Sequence, residues 1–255
     1  MGEDASHSAA EVTALRAGLD LGVNLIDTAE MYADGGAELV VAEAIAGRRD
    51  EVFLVSKVLP HHASFEGTLA AAEGSLRRLG TDRIDLYLLH WPGPHPLEGT
   101  YNAFRRLREQ GKVRSYGVSN FDVADMERSE STPGGAAVGV NQVLYNLSRR
   151  NVEHRLLPWC RERGITLMAY SPFEQARLAA SAALARVAAR HDREPYQVAL
   201  AWTIREPGVV TIPKASRLEH VRANAAAAEL ELTAEDLSEL DCAFPRGASA
   251  ALETL

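Results

Sequence analysis

The chain has 255 residues, 46% of them apolar and 24% charged, with a formal net charge of -8. That balance describes an ordinary acidic globular protein and excludes the global basic surface that nucleic acid would need. No stretch approaches the roughly 20 continuous apolar residues of a membrane helix, so neither nucleic acid nor a membrane is an expected partner.

The opening MGEDASHSAAE is polar and unlike a signal peptide, which makes the cytoplasm the expected location. It runs into a first helix over about 9–22. From there β-rich runs alternate with amphipathic segments. VNLIDT ends near 27 and precedes a helix over 36–47; VFLVSK ends near 57, before a helix over 66–79. IDLYLLH ends near 90, before 98–110, and VRSYGVSN ends near 119. After a helix and the flexible loop STPGGAAVG (131–139), VGVNQ ends near 142 and leads to a helix over 153–164. ITLMAYS ends near 170 and is followed by two helices, 180–191 and 195–206, the second opened by Pro195. VVTIP ends near 212, before a helix over 217–228, and a last capped helix begins at Thr233 with acidic residues in its first turn.

The runs are apolar at nearly every position, as in strands covered on both faces of a parallel α/β sheet. Each finishes in polar or special residues: Asp27, Ser56-Lys57, His90-Trp91, Ser119-Asn120, Asn141-Gln142, Tyr170-Ser171 and Pro213-Lys214. In a (β/α)8 barrel such tips converge on one face, where active sites are built. An open doubly wound sheet is the rival, but no Gly-rich fingerprint follows an early strand, and seven polar tips fit closure better than one crevice. The expected fold is an α/β (β/α)8 TIM barrel, one domain over 1–255. The segment before the first helix leaves no room for an eighth strand, so the first barrel strand is expected to be missing.

Asp27, Lys57 and His90 stand on successive tips, and Tyr32 lies one loop beyond the first. Alone, each has a structural explanation: an ion pair for Asp or Lys, a satisfied core position for His. Together their roles are complementary. A phenol near pKa 10 is a poor acid at neutral pH, and an adjacent ammonium favours its phenolate. A buried lysine tends to lose its proton, and a carboxylate such as Asp27 holds the charge in place. His90 is then available to hydrogen-bond a substrate oxygen.

In this order LIDTAEMY, VSKV, LLHW, GVSNF, NQVLYN, AYSP and IPKAS resemble the aldo-keto reductase superfamily, over essentially residues 10 to 245. The resemblance implies the (β/α)8 barrel and hydride transfer between NADPH and a carbonyl, with small aldehydes and ketones as substrates. It implies Tyr32 as proton donor, Lys57 and Asp27 as its activating pair, and His90 as the group that orients the carbonyl. Ser119, Asn120 and Gln142 match positions that bind the nicotinamide carboxamide, and Tyr170 the aromatic that stacks on its ring. Ser171, Phe173, Gln175 and Arg177 match the loop over the pyrophosphate, with Ala176 where several relatives have glycine. Lys214, Ser216 and Arg217 match the 2′-phosphate site, a local basic cluster in an acidic chain, which favours NADPH while NADH stays possible. His220 stands where many members carry arginine, and Asn224 follows Ala223 where glutamate is common. Trp91 is expected to line the substrate pocket, whose mouth the stiff PGPHP loop (92–96) reshapes.

Among the alternatives, Lys57 as a Schiff-base nucleophile is disfavoured by Asp27, which keeps it charged. A binding member with little or no turnover is motivated by the absent strand, since an unpaired position exposes sheet edges. The histidines at 61, 62, 95, 154 and 191 lack metal-ligand spacing, and no metal is expected. Cys160 and Cys242 are read as reduced bystanders, and the chain as a monomer or weak oligomer.

Overall fold

The computed structural model describes residues 1–174, 178, 181–249 and 251–254; Gln175 and Arg177 of the expected pyrophosphate loop lie outside the described residues. Among these, seven strands form: β1 (Leu25–Asp27), β2 (Phe53–Val58), β3 (Ile84–Leu89), β4 (Val113–Ser119), β5 (Val140–Leu144), β6 (Thr166–Tyr170) and β7 (Val209–Thr211). Each lies where the sequence places a strand. They make one sheet in the order β1-β2-β3-β4-β5-β6-β7, and the ladders β1·β2, β2·β3, β3·β4 and β6·β7 are all parallel. The fold is therefore α/β with a parallel seven-stranded sheet.

The helices are α1 (Ser8–Asp20), α2 (Gly36–Ile45), α3 (Phe65–Leu79), α4 (Leu97–Glu109), α5 (Val123–Glu130), α6 (Leu156–Glu162), α7 (Ala182–Arg190), α8 (Pro195–Ile204), α9 (Leu218–Ala227) and α10 (Ala234–Ala243). Only α6 departs appreciably from expectation. It starts at Leu156 rather than 153 because Asn151–Glu153 close a separate 3-10 turn. Among the described residues no helix is long and apolar enough to cross a membrane.

Two compact units are distinguished, the first comprising Met1–Asn141 with Ser216–Leu218. Its core is the β2–β3–β4 ladder, in which all six residues of β3 are buried. On α4 the buried residues Thr100, Tyr101, Ala103, Phe104 and Leu107 recur at helical spacing and make one apolar face. Phe104 of that face lies 5.6 Å from the Tyr87 ring of β3 and 5.3 Å from the Tyr116 ring of β4. Burying side chains of this size contributes about 1.5–3 kcal/mol each, and it fixes the strands whose tips carry the site. Helix α3 is closed by Ser64 at its start and by left-handed Gly80 (φ 61) at its end.

The second unit comprises Gln142–Ala215 with Glu219–Leu255. Trp202 of α8 is fully buried, with the guanidinium groups of Arg150 and Arg205 at 4.9 Å and 3.7 Å from its ring. Both cations pair with the buried Glu153, at 2.9 Å and 3.3 Å, and Arg150 also pairs with Asp241 at 2.7 Å, so two carboxylates face the two cations. Pro195 opens α8 and Thr233 caps α10, as the sequence indicates; the structure adds a Glu194–Gln197 capping box at the first and reciprocal bonds between Thr233 and Asp236 at the second.

Candidate active site

Asp27 ends β1 directly opposite Val55 of β2. Lys57 lies two residues beyond Val55 and hence on the same face of β2. Its side chain is fully buried, and its Nζ donates to Asp27 Oδ2 at 2.6 Å, to the Thr28 carbonyl at 2.9 Å and to the Tyr32 hydroxyl oxygen at 3.2 Å. An ammonium has three N–H donors, and all three are directed within this group. Burial alone would drive the Lys57 pKa down. The Asp27 charge, the neighbouring Tyr32 and the hydrogen bonds outweigh it, and the net shift is upward.

Tyr32 reaches Lys57 because the chain turns sharply after β1. The Tyr32 N–H donates to the Ala29 carbonyl at 3.1 Å, and Ala33 (φ 52), Asp34 (φ 51) and Gly35 (φ 90) follow in the left-handed region. The turn leaves Tyr32 36% exposed as a residue, while Lys57 behind it is shut off from water. Its ring stands edge-on to His90, with centroids 5.6 Å apart.

His90 follows β3 and extends its ladder, donating its N–H to the Val58 carbonyl at 3.0 Å. Burial, and then the charge on Lys57, push its imidazole down to about 3, so it is neutral at physiological pH. His90 Nδ1 is buried with no hydrogen-bond partner among the described residues. Trp91 is tilted against it at 4.9 Å and is exposed. The loop beyond Trp91 packs so tightly that a side chain on Gly93 would collide with Pro60, and His95 Nε2 lies 3.2 Å from the His61 carbonyl.

At the tip of β4, Ser119 Oγ is buried and also without a partner among the described residues. Asn120 takes a left-handed conformation (φ 59), which asparagine tolerates well, and its Nδ2 donates to the His90 carbonyl at 3.4 Å. The first unit thus brings Asp27, Tyr32, Lys57, His90 and Trp91 into one group, with Asn120 tied to it through His90. Ser216 and Arg217 are exposed just before α9.

In the second unit Gln142 is buried and donates Nε2 to Met168 Sδ at 2.9 Å. Tyr170 is half-buried at the end of β6; Ser171 is left-handed (φ 52), and its carbonyl accepts from Asn146 Nδ2 at 2.9 Å. Phe173 packs edge-on to Tyr196 at 5.1 Å. Lys214 and His220 are exposed and Asn224 is half-buried, with His220 3.9 Å from Glu219.

Two participants escape sequence reading. Thr28 serves Lys57 through its backbone carbonyl, which leaves no side-chain signal. Glu30 accepts from the Leu59 N–H at 2.7 Å and lies 3.0 Å from His62 Nδ1; its only signal is an acidic residue inside an otherwise apolar turn.

The aldo/keto reductase family model matches residues 2–243. The chain belongs to the aldo/keto reductase family. Among aldo/keto reductases it is 52% identical over 250 residues to methylglyoxal reductase YeaE of Escherichia coli (strain K12), covering 96% of this chain and 88% of that protein. It is 36% identical over 231 residues to glyoxal reductase of Bacillus subtilis (strain 168), covering 89% and 81% of the two chains. An aldo/keto reductase from Klebsiella pneumoniae, crystallised with NADP and acetate, superposes with a TM-score of 0.98 at 48% identity, covering all of this chain and 92% of the other. A second crystal structure from that organism, in complex with NADPH, gives the same values.

Proposed function

We propose that this aldo/keto reductase reduces a small aldehyde or ketone to the alcohol with NADPH, with Tyr32 as the proton donor. The observation that carries the reading is the direction of the three Lys57 hydrogen bonds. The Tyr32 oxygen accepts from Lys57, so its own hydrogen is left to donate to another acceptor, and the residue as a whole is exposed. As the phenol gives up that proton, the ammonium at 3.2 Å stabilises the phenolate that forms. Asp27 keeps Lys57 protonated, and this also argues against Lys57 as a Schiff-base nucleophile. His90, held neutral, donates a hydrogen bond to the carbonyl oxygen and orients it toward Tyr32.

The residues present fit a nicotinamide cofactor. Ser119 Oγ, buried and without a partner among the described residues, and the amide of Asn120 are groups that a carboxamide can match. When bound, NADPH supplies the hydride. We assign Ser119, Asn120 and Gln142 to the carboxamide, Tyr170 to the face of the ring, and Ser171 and Phe173 to the pyrophosphate. Lys214, Ser216 and Arg217 are assigned to the 2′-phosphate, with His220 and Asn224 toward the adenosine. The Klebsiella complexes with NADP and NADPH support the cofactor, and relatives named for methylglyoxal and glyoxal support a small dicarbonyl substrate. None of those names supports a member without turnover. The span of the family match supports one domain, and we read the parallel strands as those of the (β/α)8 barrel.

The test follows loss of NADPH absorbance with methylglyoxal. Wild type is expected to turn over and Tyr32→Phe to lose about 10²- to 10⁴-fold in turnover, the usual worth of a positioned general acid. Undiminished turnover by Tyr32→Phe overturns the assignment.

A further inference from the structure

The ladder between β1 and β2 continues past the end of β1. Beyond the pairing Asp27↔Val55 two of its rungs persist, from the Thr28 N–H to the Val55 carbonyl at 3.0 Å and from the Glu30 N–H to the Lys57 carbonyl at 3.5 Å, while the Thr28 carbonyl between them accepts from Lys57 Nζ at 2.9 Å. In a parallel ladder of this register the next bond joins the Leu59 N–H to the Glu30 backbone carbonyl. Here the Leu59 N–H donates instead to Glu30 Oε1, at 2.7 Å. The side chain stands in for its own main-chain carbonyl. That leaves the main chain free to quit the sheet at Glu30, and two residues later the turn presents Tyr32 to Lys57 at 3.2 Å. The same oxygen lies 3.0 Å from His62 Nδ1, and the Glu30 side chain is 10% exposed, so the carboxylate is held from two points beyond β2.

We propose that Glu30 is a positioning residue for the proton donor, a role that rests on the reading of Tyr32 as the acid. Its carboxylate sets the point at which the chain leaves β2, and thereby the placement of the Tyr32 hydroxyl on Lys57. Without an acceptor at this place, the Leu59 N–H is left unpaired or recovers the Glu30 carbonyl, and the second outcome draws the turn toward β2 and the phenol off the ammonium. The function belongs to the reach of the side-chain oxygen rather than to its charge. A glutamine amide oxygen accepts the same hydrogen bond, whereas aspartate, one methylene shorter, falls short of it.

The experiment measures kcat and KM for methylglyoxal at saturating NADPH, with the NADPH dissociation constant as a check on folding and cofactor binding. For Glu30→Ala, kcat is expected to fall about 10- to 100-fold, the scale of a misplacement near 1 Å, with KM and the NADPH constant close to wild type. Glu30→Gln is expected to restore kcat and Glu30→Asp to behave like Glu30→Ala. Should the alanine chain fail to fold, the Gln and Asp variants carry the comparison. Wild-type kcat in Glu30→Ala or Glu30→Asp, a loss confined to KM, or failure of Glu30→Gln to restore kcat overturns the proposal. Tyr32→Phe assayed alongside separates the two readings. If it is inactive while Glu30→Ala is unaffected, only the role of Glu30 falls; if it is fully active, both fall.

Discussion

Lys57 Nζ and the Asp27 carboxylate lie 2.6 Å apart, with the lysine side chain fully buried and the aspartate 8% exposed. Asp27→Asn leaves the ammonium buried without its counter-charge and is expected to cost about 3–5 kcal/mol of stability. The sign with pH follows from the raised Lys57 pKa. A raised folded-state pKa gives stability that is complete below the unfolded lysine value of 10.5 and is lost as pH rises through the folded value. Urea midpoints of wild type and Asp27→Asn, compared at neutral pH and above 10.5, are expected to converge at the alkaline end. A gap that is constant across this range contradicts the linkage.

Lys57→Met tests the other partner. The substitution keeps an unbranched apolar stem of similar length and removes the charge behind the Tyr32 phenol. Turnover is expected to drop by about 10²- to 10⁴-fold, since proton donation then leaves an unsupported phenolate. The cofactor residues are assigned to other strand tips, so NADPH binding measured by fluorescence is expected to persist. Joint loss of binding and turnover points instead to a collapsed site.

His90 is displaced to about 3 from an ordinary 6.5. Between those values the unfolded chain binds a proton that the folded chain refuses, so the His90 contribution makes stability rise with pH through that window and level off above it. Subtracting the melting-temperature profile of His90→Gln from that of wild type is expected to isolate this slope. The wild-type profile of kcat/KM is correspondingly expected to show no ionisation of His90 between pH 5 and 8.

The seven strands and three of the four grouped residues were legible because one feature marks both, while Tyr32 was found only by its place one loop beyond the first tip. An apolar run that gives way to Asp27, Lys57, His90 or Ser119 announces the end of a strand and a group of polar side chains together. What stayed illegible is set by the backbone. The Thr28 carbonyl that takes the third Lys57 hydrogen bond carries no side-chain signature, and the left-handed conformations of Asn120 and Ser171 belong to residues that elsewhere adopt ordinary ones. Glu30 was visible as a residue but not as a substitute rung, because only the register of β1 on β2 shows which bond its side chain replaces.

Gly117, in the middle of β4, faces the Val140 carbonyl and Leu88 so closely that a Cβ would lie well inside contact distance of both. The Val140 oxygen is main chain and cannot rotate away. Gly117→Ala is therefore expected to spread the sheet beside the Ser119-Asn120 tip and to destabilise by about 1–3 kcal/mol, the range for overpacked sites. A lowered urea midpoint with an unchanged slope is the expected signature.

Lys214 and Arg217, proposed above for the 2′-phosphate, make the sharpest test of cofactor preference. Both side chains are exposed, and charge-assisted hydrogen bonds to a phosphate are each worth about 1.5–3 kcal/mol, or roughly 10- to 100-fold in affinity. NADH has no 2′-phosphate. Arg217→Glu is expected to raise KM for NADPH on that scale through lost attraction and added repulsion, while KM for NADH changes little. The NADPH affinity of wild type is expected to fall with added salt more steeply than that of the variant, because the removed contact is the one that salt screens. Equal effects on both cofactors place the 2′-phosphate elsewhere and leave Arg217 an ordinary surface cation.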